Sequence, residues 1–256
     1  MLNTSRHEEE IKKILKEIFQ SQIWIYLWFK WWTLTYFCYW LDRFSTDIDI
    51  DILDITKEQV IIDAMREILY RIWDIKNETI WKTLHRWIYR YDETGMNIKI
   101  EFNKRVWVNN TYEIKDIDWM NINCMKKESL FSNKLVALSE RFKNRDLYDV
   151  NFFLKHDFPI NEPIIQERTW KNLKEFLNEL IVEIPKHYSK TSILAELWEI
   201  LTDRQKIWMK NECLKETISL LDNKLINNTS MGSKVYFDFW EEWLDVDVVL
   251  DYFKDK

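Results

Sequence analysis

The stretch TDIDIDIL, residues 46–53, alternates Asp47, Asp49 and Asp51 with Ile48, Ile50 and Ile52. Strict period two predicts a strand with one apolar and one acidic face, because successive side chains leave the pleat on opposite sides. Asp fits such a surface poorly, so three on one face need a reason. Same-face residues stand roughly 6.6 Å apart at the backbone, close enough for their carboxylates to converge on a hard cation. Mg²⁺ commonly takes one or two carboxylates and completes its shell with water and substrate phosphates. A third acid on a neighbouring strand would build a two-metal site for in-line phosphoryl displacement. Glu101, in MNIKIEFNK (96–104), is the candidate. A solvated acidic sheet face is the competing reading, and spacing alone does not separate the two. Asp51 shares the period but lies one step further from the preceding turn, so Asp47 and Asp49 are preferred.

These side chains need elements to hold them. IWIYLWFK (23–30) reads as a buried strand and TLTYFCYW (33–40) as a short helix beneath the sheet. A strand that ends where a helix begins is a common phosphate site, since free N–H groups and the helix dipole face the ligand. Thr33 is placed to cap that helix, but Trp31 and Trp32 fill the turn where small residues are expected. An amphipathic helix covers residues 6–20, with Ile11, Ile14, Leu15, Ile18 and Phe19 on one side. A second is predicted from a capping box at Thr56 and Gln59 to about Trp73. HRWIYRY, DETG and MNIKIEFNK (85–104) read as strand, turn and strand. Helices are expected over 126–142 and 145–156, then over 166–181, 192–201 and 204–221. DFPINEPI (157–164) holds two of the three prolines and marks the boundary between domains 1–158 and 159–256. The pattern predicts an α+β fold: a mixed sheet flanked by helices, followed by a mainly helical C-terminal region.

A chain of 256 residues, 46% hydrophobic, can bury a sizeable core. Its net charge of −6 argues against a broad basic surface, so any contact with nucleic acid must be local. Cys38, Cys124 and Cys213 are scattered and odd in number, which suggests neither a disulfide framework nor a zinc cluster. With acids in MLNTSRHEEEIKK where a signal peptide has an apolar run, a cytoplasmic location is expected. Residues 23–41 are long enough to span a bilayer, but Lys30 at the centre would cost about 2.5–3.5 kcal/mol, so no membrane contact is expected. One total is anomalous: 2 Gly against 15 Trp, where ordinary usage is about 7% Gly.

The residues at hand resemble the AbiEii/AbiGii-type toxin family, nucleotidyltransferases of DNA polymerase beta-like fold. KWWT (30–33) and RFSTDID (43–49) are similar to that family's Lys-Gly-Gly-Thr turn and its Arg-Phe-Ser-x-Asp-hydrophobic-Asp strand. KIEF (99–102) resembles its third acidic strand, and KLVALSERFKNRDLYDVNFFL (134–154) its later Lys, Ala, Arg and Arg-Asp-Leu-Tyr-Asp signature. The resemblance implies Mg²⁺ on Asp47, Asp49 and Glu101, and catalytic roles for these three with Lys134 and Asp146. It implies nucleotide binding by positions 31 and 32, Thr33, Ser45 and Arg145. It also implies an NTP as donor, an acceptor that can be the tRNA 3′ end, a cognate antitoxin, and a growth-arrest or phage-defence role. A small-molecule nucleotidyltransferase and an inactive scaffold of the same fold are the alternatives. The departure is Trp31-Trp32 where the family has Gly-Gly, with Trp40 and Trp119 at two further positions of this kind. Some bacterial lineages read UGA as glycine while a common alternative table reads it as tryptophan. The expectation is therefore glycine at 31, 32, 40 and several other positions, and a genuine Trp pair would block the approach of a triphosphate.

Overall fold

The computed structural model describes residues 4–72, 74–91 and 96–228. Seven strands form one mixed sheet: β1 (Leu27–Lys30), β2 (Asp47–Ile52), β3 (Ile75–Ile80), β4 (Leu84–Arg90), β5 (Asn97–Asn103), β6 (Tyr112–Ile117) and β7 (Met120–Met125). Their order is β3-β4-β5-β2-β1-β7-β6. β2 lies near the middle, antiparallel to β1 and parallel to β5. Its Ile48, Ile50 and Ile52 are buried, as the period-two reading requires.

The helices cover that apolar face. α1 (Thr4–Phe19) buries Ile11, Ile14, Leu15, Ile18 and Phe19 and packs beside β7 and α3 (Glu58–Ile72). His7 bridges this helix to the rest: one ring nitrogen is 2.7 Å from the Tyr91 hydroxyl and the other 3.1 Å from the Thr46 carbonyl, next to β2. α2 (Trp31–Tyr39) follows β1 directly, with no side-chain cap at its start. α4 (Lys127–Arg141) and α5 (Asn144–Lys155) pack together, with every residue of α4 from Ser129 to Leu138 buried. The chain then passes the expected boundary and its later helices return onto this pair. α6 (Glu162–Thr169) lies on α4, while α9 (Cys213–Asn228) lies between α5 and α7 (Leu173–His187) and also meets α8 (Asp203–Asn211).

Several local expectations are corrected. Residues 23–26 form a 3-10 turn (Trp24–Tyr26) before a four-residue strand, and no helix among the described residues is long and apolar enough to cross a membrane. Asp54, not Thr56, accepts the capping bond, from the Thr56 N–H at 3.0 Å, and α3 begins only at Glu58 because a 3-10 turn intervenes. The Gln59 amide bonds Asp63 instead of closing a capping box. The helix expected over 166–181 is two, because Trp170 at φ 61° ends α6 and a true capping box at Asn172 and Glu175 starts α7. Residues 192–201 are turns rather than helix, interrupted by Glu196 at φ 65°, although Ile193, Leu194, Leu197 and Leu201 are buried. The 204–221 helix breaks at Glu212. β3, β6 and β7 were not expected. The DETG turn and Trp73 lie outside the described residues.

Candidate active site

β2 sets the site. Asp49 is in register with Glu101 on β5 and with Lys30 on β1, and Asp47 with Lys99 on β5. Arg86 on β4 is in register with Glu101 and binds its Oε1 through Nε at 2.6 Å. Lys99 Nζ is 3.6 Å from Asp47 Oδ2. Burial, reinforced by the negative charge of Glu101 and Asp47, pushes the Asp49 carboxyl up to about 7. Asp51 is withdrawn from this group: it is buried, ion-paired to Lys30 Nζ at 2.5 Å and within 3.4 Å of the Tyr112 hydroxyl. One period-two face thus carries two acids toward solvent and one into the sheet.

The open acids line a cleft of about 650 Å³ together with Trp31, Trp32, Glu101 and Arg145. Its wall contains eight basic side chains against four acidic ones, in a chain whose net charge is −6. Lys30 and Lys99 come from the sheet near the acids, as does Arg86. Arg105 follows β5, Arg141 ends α4, Lys143 and Arg145 open α5, and Arg168 comes from α6. A pocket assembled in this way suits a substrate of high negative charge. Sequence does not reveal this basic wall apart from Arg145, because its other seven members are scattered singly over seven elements or loops. Only the cross-strand pairing of Arg86 with Glu101 leaves a trace, in two strands read on either side of one turn.

Four other expected site residues do not reach the cleft lining. Thr33 and Ser45 are buried; their hydroxyls lie 2.9 Å apart, and the Thr33 hydroxyl donates to the Asp47 carbonyl. Thr33 therefore braces the start of β2 rather than capping α2. Lys134 and Asp146 are both fully buried and 2.5 Å apart. Arg141 also grips Asp146, through Nε at 2.6 Å and Nη2 at 3.0 Å. Against the burial that would raise it, Lys134 and Arg141 hold the Asp146 carboxyl down to about 2. Alongside, Arg43 makes a two-pronged bond to Asp149, at 2.6 and 2.8 Å, with Lys134 at 3.8 Å from the same carboxylate. These five residues, all buried except Arg141, form one ionic network that clamps α4 and α5 to the loop between α2 and β2. Bidentate Arg–carboxylate pairs of this kind fix geometry as well as charge.

Above the network sit the two indoles. Lys134 Nζ is 2.9 Å from the centre of the Trp32 ring, and the Arg43 guanidinium carbon is 4.9 Å from it. Trp31 stands 5.8 Å from Trp32, with Lys30 and Lys134 at 5.3 and 5.2 Å from its ring. Three cations thus converge on a volume that two indoles fill.

The donor set fits a hard divalent cation in part. Asp47 and Asp49 supply carboxylate oxygens from one face, and the Asp49 carboxyl, raised by burial and then by the charge of Glu101 and Asp47, is one that a cation would favour in its ionised form. Glu101 can join them by leaving Arg86. As the side chains stand, no three Asp, Glu, His or Cys among the described residues are gathered closely enough to hold an ion.

A family model described as nucleotidyl transferase AbiEii toxin, type IV toxin–antitoxin system, matches residues 33–206. No curated protein matches the chain. Among solved structures, a candidate nucleotidyltransferase from Helicobacter pylori is similar at 21% identity and TM-score 0.55, over 88% of this chain and 97% of that one. JHP933, also from Helicobacter pylori, is similar at 20% identity and TM-score 0.52, over 88% and 95%. MenT4, a nucleotidyltransferase toxin from Mycobacterium tuberculosis, is similar at 14% identity and TM-score 0.53, over 86% and 84%. At these identities the structural likenesses establish the fold.

Proposed function

Since the chain belongs to the AbiEii family of nucleotidyltransferase toxins from type IV toxin–antitoxin systems, we propose that it transfers a nucleoside monophosphate from an NTP to a hydroxyl acceptor on RNA, the tRNA 3′ end being the leading case. Family membership brings with it an antitoxin partner. One observation carries the proposal: Asp47 and Asp49 open from a central strand into a basic-walled cleft within an acidic chain.

In this reading Asp47 and Asp49 hold Mg²⁺, with Glu101 adjacent. The bound ion would neutralise phosphate charge and align the donor phosphorus. The acceptor hydroxyl oxygen attacks the α-phosphorus, the bond to the bridging oxygen breaks, and pyrophosphate leaves with its electron pair. Glu101 takes the hydroxyl proton, a task that requires it to be ionised and within reach of the acceptor. Arg86 keeps it oriented from the neighbouring strand. Lys30 and the backbone at 31 and 32 face the triphosphate, while Lys99, Arg105, Lys143 and Arg145 hold the outer phosphates and the acceptor backbone. Most of the acceleration is positioning and charge stabilisation, as phosphoryl transfer demands. Lys134 and Asp146 act from beneath, by fixing the loop that leads to Asp47.

A phosphate-rich acceptor is favoured over a small molecule because the basic wall extends well beyond the two acids. The experiment compares acceptors: protein with glycine at 31 and 32 is incubated with α-labelled NTPs, Mg²⁺ and either total tRNA or a panel of small hydroxyl compounds. Label in tRNA that declines steeply with salt is the expected result. Label confined to small molecules would replace the RNA acceptor, and no labelled product at all would favour a scaffold.

A further inference from the structure

The described residues contain no glycine, since Gly95 and Gly232 fall outside them. Eight of them nevertheless adopt positive φ, and four of the eight are tryptophan: Trp31 at 61°, Trp40 at 54°, Trp119 at 65° and Trp170 at 61°. Left-handed backbone is uncommon for any residue with a Cβ and a genuine outlier for a bulky one.

Each of the four stands where glycine has a separate structural reason to be. Trp40 ends α2 at φ 54°, ψ 42°, its N–H returning to the Thr35 carbonyl and the Leu41 N–H to the same oxygen at 3.3 Å. Trp170 ends α6 at φ 61°, ψ 16°, its N–H 2.9 Å from the Gln166 carbonyl. A left-handed residue closing a helix is the position glycine fills most often. Asp118 and Trp119 are the two loop residues between the paired Ile117 and Met120 of the β6–β7 hairpin, at φ 51° and 65°. Positive φ at both is the type I′ turn, for which Asp-Gly is among the strongest signals. Trp31 forms the bend from β1 into α2.

Three of the four indoles lie in solvent, whereas Trp31 is partly buried against Trp32 and between Lys30 and Lys134. Trp40, Trp119 and Trp170 are 82%, 96% and 90% exposed. Trp87 behaves oppositely: it lies within β4, is fully buried, and packs its ring edge-on against Phe102 at 5.4 Å. Trp208 likewise donates its indole N–H to Glu216 at 3.0 Å and meets Tyr148 edge-on. Backbone angle therefore separates Trp31, Trp40, Trp119 and Trp170 from Trp87 and Trp208.

We infer that glycine is the native residue at 31, 40, 119 and 170, each encoded by UGA read as glycine in the source cell, while Trp87 and Trp208 are genuine. The claim is independent of the proposed reaction. Trp32 has helical geometry, so its backbone does not enter the argument.

The test reads the codons and weighs the matching peptides of the protein isolated from its own cells. TGA codons with glycine-mass peptides at the four positions, and TGG with tryptophan mass at 87 and 208, are expected. TGG at the four, or tryptophan mass there whatever the codon, overturns the inference. Glycine at 87 overturns the sorting by geometry. A second measurement needs only recombinant protein of the sequence as written: Trp40→Gly, Trp119→Gly and Trp170→Gly are each compared with the alanine substitution in urea unfolding. Glycine should raise the folding equilibrium constant about tenfold over alanine at each position. Equal or greater stability with alanine contradicts it.

Discussion

Replacing Asp149 by Asn tests the buried ionic network without touching the cleft. Asp149 is fully buried and accepts two bonds from Arg43, at 2.6 and 2.8 Å, with Lys134 3.8 Å away. Asn keeps one acceptor oxygen but turns its NH₂ toward a donor. One charge-assisted bond is lost, worth about 1.5–3 kcal/mol, and the guanidinium of Arg43 stays buried without a counter-charge. Breaking a buried pair from one side costs about 3–5 kcal/mol, a large share of the roughly 5–15 kcal/mol that holds a domain folded. The assay is urea unfolding followed by far-UV circular dichroism, with the midpoint falling and the slope unchanged. Substituting both partners by apolar residues, Arg43→Met with Asp149→Leu, should recover most of the loss, because the cost arises from the orphaned charge. A single Asp149→Asn change costing under about 1 kcal/mol, or a double variant no better than the single one, would refute the assignment of this network as the clamp between α5 and the β2 loop.

Other consequences are direct. Because the folded Asp49 carboxyl titrates near 7 rather than at its ordinary 3.8, its contribution to stability is fully present below about pH 4 and is lost as pH rises through 7. Without added metal, Asp49→Asn should therefore raise the melting temperature more at pH 8 than at pH 4, as scanning calorimetry would record; an equal shift at both would contradict the cost of ionising a buried carboxyl beside Glu101 and Asp47. Trp87→Ala, at a fully buried ring, should cost about 3–5 kcal/mol in urea unfolding, and a loss under about 1 kcal/mol would show that this indole is not core. Arg105→Ala, at an exposed position of the cleft wall, should raise KM for an RNA acceptor several-fold with little change in kcat; a fall in kcat alone would place it at the reacting phosphate instead.

Much of the sheet centre was legible because β2 and β5 obey strict period two and α4 and α5 carry long apolar faces. β6 and β7 were not, and the reason is local: their hairpin is written Asp118-Trp119, which carries no turn signal, although the backbone there is the one that Asp-Gly makes. Trp170 likewise conceals the break between α6 and α7, since it continues an apolar pattern that its φ interrupts. β3 is a polar edge strand, Ile75–Ile80, with mixed exposure and no alternation to read. In the site, the shared face of Asp47 and Asp49 follows from spacing alone. The burial of Asp51, Thr33 and Ser45 does not, because it depends on Lys30, Tyr112 and the α2 turn closing over them. Lys134 and Asp146 stand out only through the family resemblance, and their contact at 2.5 Å inside the protein, rather than in the cleft, depends on the packing of α4 on α5.

The most direct measurement follows phosphorus. Protein with glycine at 31 and 32 is supplied with Mg²⁺, tRNA and NTP labelled on either the α- or the γ-phosphate, alongside the same protein carrying Asp49→Asn. α-Label should enter the RNA and γ-label leave as pyrophosphate, while the Asp49→Asn protein does neither and remains folded. Transfer of γ-label to the acceptor, or undiminished α-label transfer by Asp49→Asn, would contradict a nucleotidyltransferase centred on β2.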